Sequence, residues 1–227
     1  MESSELRITL VNHSTVLIQQ RGANILTDPI WSERASPVSW LGPKRRRKPG
    51  VRMDDLPDID VVLISHNHYD HLDLRTLRQL AARGRSTFVV AARGARLLRS
   101  EKVEPVHELD WGESVTLSGF TVHCVPALRF SARGIFDRNK TQWCGYAIEY
   151  PERLVYFAGD TAFGSHFCAN SGQGRLTRAC IVTNRSVRTA LVHVACAYGS
   201  RGGRSSSRNS RSQNQHRHPP WNLSAGG

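Results

Sequence analysis

The run His66-Asn67-His68-Tyr69-Asp70-His71 most narrows what this chain can fold into. It follows an apolar stretch, Val61-Val62-Leu63-Ile64, and precedes a leucine-spaced one from Leu72 to Ala82. A short run of uniformly apolar residues reads as a strand buried on both faces. Leu72, Leu74, Leu77 and Leu80 fall largely on one face of a helix. The histidine run is then a loop that leaves a central strand and enters a helix. Neutral imidazole and carboxylate are the usual ligands of zinc and related divalent ions. From such a loop His66 and His68 can face one metal, and Asp70 and His71 a second. The competing reading is a polar loop with chance histidines. Three imidazoles and a carboxylate within six residues weigh against it.

The rest of the chain supplies strands around this loop. Leu6 to Leu10, Thr15 to Gln19 and Ala23 to Thr27 predict an antiparallel meander. Asn12-His13-Ser14 stands at its first turn, and Asp28-Pro29 ends it. His13 reads as a turn histidine. For Asp28 two readings stay open: a strand-end residue, or a carboxylate that orients a metal-binding imidazole. Trp31 to Met53 has little periodicity and contains Lys44-Arg45-Arg46-Arg47-Lys48. That run suits a solvated loop, with contact to phosphate groups as the alternative. Further strands are expected at 60–65, 87–91, 103–109, 114–117, 120–125, 142–150 and 154–158, and a short helix at 93–100. The last strand ends at Gly159-Asp160-Thr161, where a glycine lets the backbone turn and aim a carboxylate.

A length of 227 residues is enough for one α/β domain with a substantial core. No run is long and apolar enough to span a bilayer as a helix. The first residues lack the pattern of a secretory signal. The five cysteines, with no CxxC spacing, suit free thiols in a reducing compartment, so a cytoplasmic location is expected, with peripheral membrane association as a variant. The net charge of +12 is unevenly placed: residues 168–227 hold nine arginines and no acidic residue, while residues 1–167 hold 22 basic against 19 acidic ones. The two parts need separate accounts: a domain over 1–167, and a basic tail over 168–227 whose Arg/Ser/Gly composition suits disorder.

The loop, the strand-end Gly159-Asp160-Thr161 and the β-rich opening together resemble the metallo-β-lactamase superfamily. Leu26-Thr27-Asp28-Pro29-Ile30-Trp31, Glu108-Leu109-Asp110-Trp111 and Phe157-Ala158-Gly159-Asp160-Thr161 look like its branch of N-acyl-phosphatidylethanolamine-hydrolysing phospholipase D and bacterial relatives. The resemblance covers about residues 6–167. It implies an αββα sandwich, two sheets face to face with helices outside. It implies two divalent ions, zinc by family expectation, with iron or manganese also suited to these donors. His66 and His68 would hold the first, Asp70 and His71 the second, and Asp160 would bridge. A hydroxide between the metals would be the nucleophile, oriented by Asp70, acting on a phosphodiester of phospholipid or small-molecule type. A lactone or other ester fits the same kind of site.

Two stretches depart from the family pattern. The family has a histidine ligand in a Pro-Ala-x-His pattern, and this chain reads Pro126-Ala127-Leu128-Arg129. A guanidinium stays protonated and does not ligate a cation. The second departure follows Phe167, where the pattern stops and a closing Ile-His-x-Gly-Thr-Phe motif is missing. Codons allowed for His218 to Ser224, CAT CCA CCA TGG AAC CTT T, read one base later as Ile-His-His-Gly-Thr-Phe. A change of reading frame near Phe167 is therefore expected, with impaired activity and poor folding of the polypeptide as written. Specific nucleic-acid binding is not expected, although the basic tail alone would suit it.

Overall fold

The structure is a computed structural model; it describes residues 5–36, 40–127 and 141–159, and the strand backbone at 177–182 and 190–192. The first sheet contains β1 (Arg7–Asn12), β2 (Thr15–Gln20), β3 (Ala23–Thr27), β4 (Val61–Ile64), β5 (Thr87–Ala91) and β6 (Val106–Leu109), in sequence order. β1, β2 and β3 form the antiparallel meander, and β3 to β6 run parallel. The second sheet contains β7 (Ser114–Leu117), β8 (Phe120–Val125), β9 (Gly145–Tyr150), β10 (Arg153–Phe157), β11 (Thr177–Val182) and β12 (Ala190–Val192). Two helices, α1 (Leu74–Ala82) and α2 (Ala95–Ser100), follow β4 and β5. This is the α/β sandwich expected from the sequence; among the described residues no helix follows a strand of the second sheet.

The turns explain the meander and the hairpin. Arg21-Gly22 and Ser118-Gly119 are two-residue links in which both residues have positive φ. Such turns carry the twist that right-handed strand pairs need.

The apolar pattern of the strands separates two cores. Val16, Ile18, Ile25, Val61, Leu63 and Val89 face Val122, Tyr146, Ile148, Val155 and Phe157 between the sheets. The alternate residues Leu17, Leu26, Val62, Ile64, Phe88 and Val90 face Leu77, Leu80 and Leu98 of the helices. β4 is thus buried on both faces, which is why its sequence is apolar throughout. Leu77 and Leu80 are fully buried, each contributing about 2 kcal/mol of apolar transfer.

Two element boundaries differ from the pattern-based expectation. α1 begins at Leu74, because Asp73 caps it by accepting from the Arg75 and Thr76 amides. The Leu72 amide instead closes the preceding turn onto the His68 carbonyl, at 2.8 Å. β6 begins after Pro105, which has no N–H to give the ladder. β11 and β12 lie beyond the domain boundary expected at 167. β11 pairs parallel with β10, and β12 antiparallel with β11. The remainder of 168–227 is outside the described residues.

Candidate metal centre

The site is built at the carboxyl ends of β3 and β4, adjacent parallel strands. β3 delivers Asp28 and β4 delivers Ser65 and the histidine loop. Asp28 is fully buried with a φ of 34°, a conformation few non-glycine residues adopt. It is held there by its amide on the Leu63 carbonyl at 2.8 Å and by Thr15 Oγ1 on its own carbonyl at 2.7 Å.

The Asp28 carboxylate gathers three donors. The Ser65 amide donates to Oδ1 at 2.7 Å, and the Ser65 hydroxyl to Oδ2 at 2.6 Å. His71 Nδ1 lies 2.7 Å from Oδ2. An ionised carboxylate only accepts, so His71 carries its hydrogen on Nδ1 and its lone pair on Nε2. The Ser65 hydroxyl spends its one hydrogen on Asp28. His66 Nδ1, 2.9 Å from that oxygen, is then the donor, and the His66 lone pair is also on Nε2. One buried carboxylate thereby sets both imidazoles in the tautomer a metal requires.

His66, His68 and His71 are brought together. His66 Nε2 is 3.0 Å from His68 Nδ1, and the His66 and His71 rings are centred 4.1 Å apart. Two ligands on a tetrahedral zinc ion lie roughly 3.4 Å apart, so the first pair is spaced to share an ion. Two groups of donor atoms fall within 4.8 Å of one another: His13, Asp70 and His71, and Asp28, His66 and His71. In the second group Asp28 is committed to Ser65 and His71, and it orients ligands instead of supplying one. The donor set thus fits divalent ions, with Asp28 as its support.

His13 belongs to the site as well as to its turn. Its φ of 32° fits the tight link between β1 and β2. Its Nε2 lies 3.5 Å from Asp70 Oδ2, and its ring centre 5.2 Å from that of His71. A lone histidine between two strands has no spacing signal that ties it to a loop over fifty residues later. Asp70 is affected by this neighbourhood. Burial works against its ionisation, but the hydrogen bond from His13 and the closeness of His71 prevail. Its carboxyl is held well below the usual carboxylate range.

Asp160, the expected bridging carboxylate, and Arg129, which stands where the family pattern has a ligand histidine, both lie outside the described residues. Gly159, just before Asp160, has a φ of 60°, and a Cβ there would come within 2.9 Å of Ser65 Cβ. The end of β10 is therefore packed against the start of the metal loop. A cavity of about 730 Å3 opens over the site, lined by His13, His68, Tyr69 and Asp70 on one side and by Lys44, Arg45 and Arg46 on another.

Buried, pre-oriented histidines at the strand ends of a two-sheet sandwich make a candidate metal centre. The chain belongs to the β-lactamase superfamily: the model of the beta-lactamase superfamily domain matches residues 23–177. An uncharacterized protein of Mycobacterium tuberculosis is 41% identical over 168 residues, covering 73% of this chain and 45% of the relative. The N-acyl-phosphatidylethanolamine-hydrolyzing phospholipase D 1 of Caenorhabditis elegans is 36% identical over 170 residues, covering 70% of this chain and 48% of the relative. Among solved structures, CmlA, a diiron beta-hydroxylase from Streptomyces venezuelae, superposes with a TM-score of 0.55 at 26% identity. That match covers 77% of this chain and 34% of CmlA. The chain spans about half the length of the curated relatives it matches.

Proposed function

We propose that the chain is a metal-dependent phosphodiesterase, acting on a phospholipid or a smaller phosphodiester. The observation that carries this reading is the joining of two features in one cavity. The donors His13, His68 and Asp70 line it, and so do Arg45, Arg46 and Lys44, the last paired with Glu33 at 3.5 Å. Cations in that lining suit a substrate that keeps a negative charge throughout hydrolysis, as a phosphodiester does and a lactone does not. The phospholipase D relative supports the same substrate class.

In this reading His66, His68, Asp70, His71 and Asp160 would hold two divalent ions, His66 and His68 serving the first and Asp70 and His71 the second. Bound ions would supply an activated water and neutralise charge on the phosphoryl oxygens. Asp28 holds His71, and through Ser65 holds His66. Asp70 would orient the attacking water, and the hydrogen bond from His13 favours its ionised carboxylate. The ions are zinc by family expectation; iron is an alternative that the diiron neighbour keeps open. The thiols of Cys124 and Cys144 are buried and unpaired with each other as a disulfide, which favours a reducing, cytoplasmic setting.

The test is hydrolysis by protein loaded with zinc, iron or manganese. Bis-(p-nitrophenyl) phosphate and N-acyl-phosphatidylethanolamine are offered beside a lactone and a carboxylic ester. Cleavage of the phosphodiesters, lost in His66→Ala, supports the reading. Cleavage of the lactone or ester alone replaces it with the other hydrolase of this fold.

Arg129 favours a second reading, in which this polypeptide is a weakened member of its family. The Pro126-Ala127-Leu128-Arg129 segment offers a cation where a ligand is expected, and the acid-free composition of 168–227 suits translation out of frame. The coding DNA from Gly159 onward tests it: a shifted frame without an open Ile-His-x-Gly-Thr-Phe motif rules out the frameshift.

A further inference from the structure

The segment between β3 and β4 holds a loop whose construction the hydrolase reading does not use. The Ala35 amide donates to the Pro43 carbonyl at 3.1 Å, and the Arg45 amide to the Glu33 carbonyl at 2.7 Å. Arg34 Nη1 donates to the Gly42 carbonyl at 2.6 Å. Gly42 has a φ of 98°, and a Cβ there would come within 2.7 Å of Ser36 Cβ. Arg45 Nη2 ties the base of the loop to the Ile30 and Ser32 carbonyls at 3.0 and 2.7 Å. The chain is thus pinned on both sides of its tip.

At that tip Trp40 is 74% exposed and Leu41 is 59% exposed. Large apolar side chains this open on a well-anchored loop are outside the two cores. Just beyond the pinned base come Arg46, Arg47 and Lys48, all exposed, with no acidic partner among the described residues. Arg46 and Lys44, the latter paired with Glu33 at 3.5 Å, also line the cavity over the metal loop. One short stretch therefore combines an indole, a leucine and a cluster of cations beside the cavity. Tryptophan partitions to the boundary between headgroups and acyl chains, and clustered basic residues are drawn to anionic lipid.

We propose that residues 40–48 dock the protein on an anionic lipid bilayer. Trp40 and Leu41 enter the interface, and Arg46, Arg47 and Lys48 pair with lipid phosphates. The cavity wall formed by Lys44 and Arg46 then sits at the membrane surface. Charge complementarity and exposed apolar side chains together select a bilayer over a free anion, which would use the cations alone. The proposal does not depend on hydrolysis, so vesicle binding and catalysis fail or succeed separately.

The experiment is co-sedimentation of the full chain with vesicles of phosphatidylcholine, with and without 30% phosphatidylglycerol. We expect binding to the anionic vesicles at least tenfold tighter than to the neutral ones. Trp40→Ser/Leu41→Ser and Arg46→Gln/Arg47→Gln/Lys48→Gln should each weaken it about tenfold. Wild-type affinity in either variant would place binding in the nine arginines of 168–227 and overturn the proposal, as would no preference for anionic vesicles. Quenching by brominated acyl chains gives a readout in a chain with its loop charges intact. Trp40→Phe should be quenched less than the wild type, and equal quenching also refutes insertion.

Discussion

Asp28 reaches His66 through a single hydroxyl: Ser65 Oγ is 2.6 Å from the carboxylate and 2.9 Å from the imidazole. The relay determines which nitrogen of His66 carries the hydrogen. Ser65→Ala removes the relay and little volume. Losing such an outer partner typically weakens metal binding ten- to a hundred-fold. We expect about tenfold for S65A, read by competition with a zinc chelator, with a fold unchanged by circular dichroism.

Asp28→Ala should do more than weaken metal binding. It leaves the Ser65 amide, the Ser65 hydroxyl and His71 Nδ1 buried without their acceptor. A buried donor without an acceptor costs about 1–3 kcal/mol. The metal-free variant should be less stable by about 3 kcal/mol or more in urea unfolding. Unchanged stability would show that water or a neighbour replaces the carboxylate.

Gly159→Ala meets two obstacles. Its φ of 60° is unfavourable for alanine, and its Cβ would lie 2.9 Å from Ser65 Cβ. The backbone conformation alone costs about 1 kcal/mol, and the contact displaces Ser65. Thermal unfolding should show a clear drop, accompanied by weaker metal binding. A loss of stability with full metal affinity would separate β10 from the site.

Asp70 links stability to acidity in the metal-free protein. Its folded-state pKa is depressed, so the folded chain binds its proton less readily than the unfolded chain, whose carboxyl titrates near 3.9. The associated stability is present above that value and is lost as pH falls below it toward the folded value. Asp70→Asn should flatten this part of the acid unfolding profile. An identical acid limb in the variant would assign the effect to other carboxylates.

Arg129→His tests the departure from the family pattern directly. If the guanidinium stands where a ligand belongs, the substitution should raise bound metal per chain and increase phosphodiester cleavage. Elemental analysis after dialysis gives the first readout and the assay described above the second. No change in either would mean that the segment does not reach the site.

The loop, its strand and its helix were legible because their chemistry is local. Val61 to Ile64 is apolar at every position since both faces are covered, and the histidines are spaced within one turn. The roles of His13 and Asp28 were harder to see. His13 meets Asp70, and Asp28 meets His71, where the pairing of β1 through β4 brings distant segments together. A turn residue and a strand-end residue look the same in sequence whether or not they face a site. The start of α1 shows the same limit: Leu72 fits the helical stripe, yet its amide is taken by the His68 carbonyl. Trp40 and Leu41 sat in an aperiodic stretch, and only their exposure distinguishes them from core residues.

Ser65 has a mechanical consequence beyond its hydroxyl. Its carbonyl accepts from the Cys144 amide at 3.0 Å, and its Cβ packs on Gly159; the first lies just before β9 and the second just after β10. One residue earlier, Tyr146 donates to the Ile64 carbonyl at 2.9 Å. The seam between the sheets therefore runs through the residue that aligns the imidazoles. Sliding one sheet over the other strains this joint, and an error of about 1 Å is enough to cost a reaction much of its rate. Affinity for the ions becomes a gauge of how well the sandwich is closed. Substitutions deep in the second sheet, such as Tyr146→Phe, should register at the histidines without touching them.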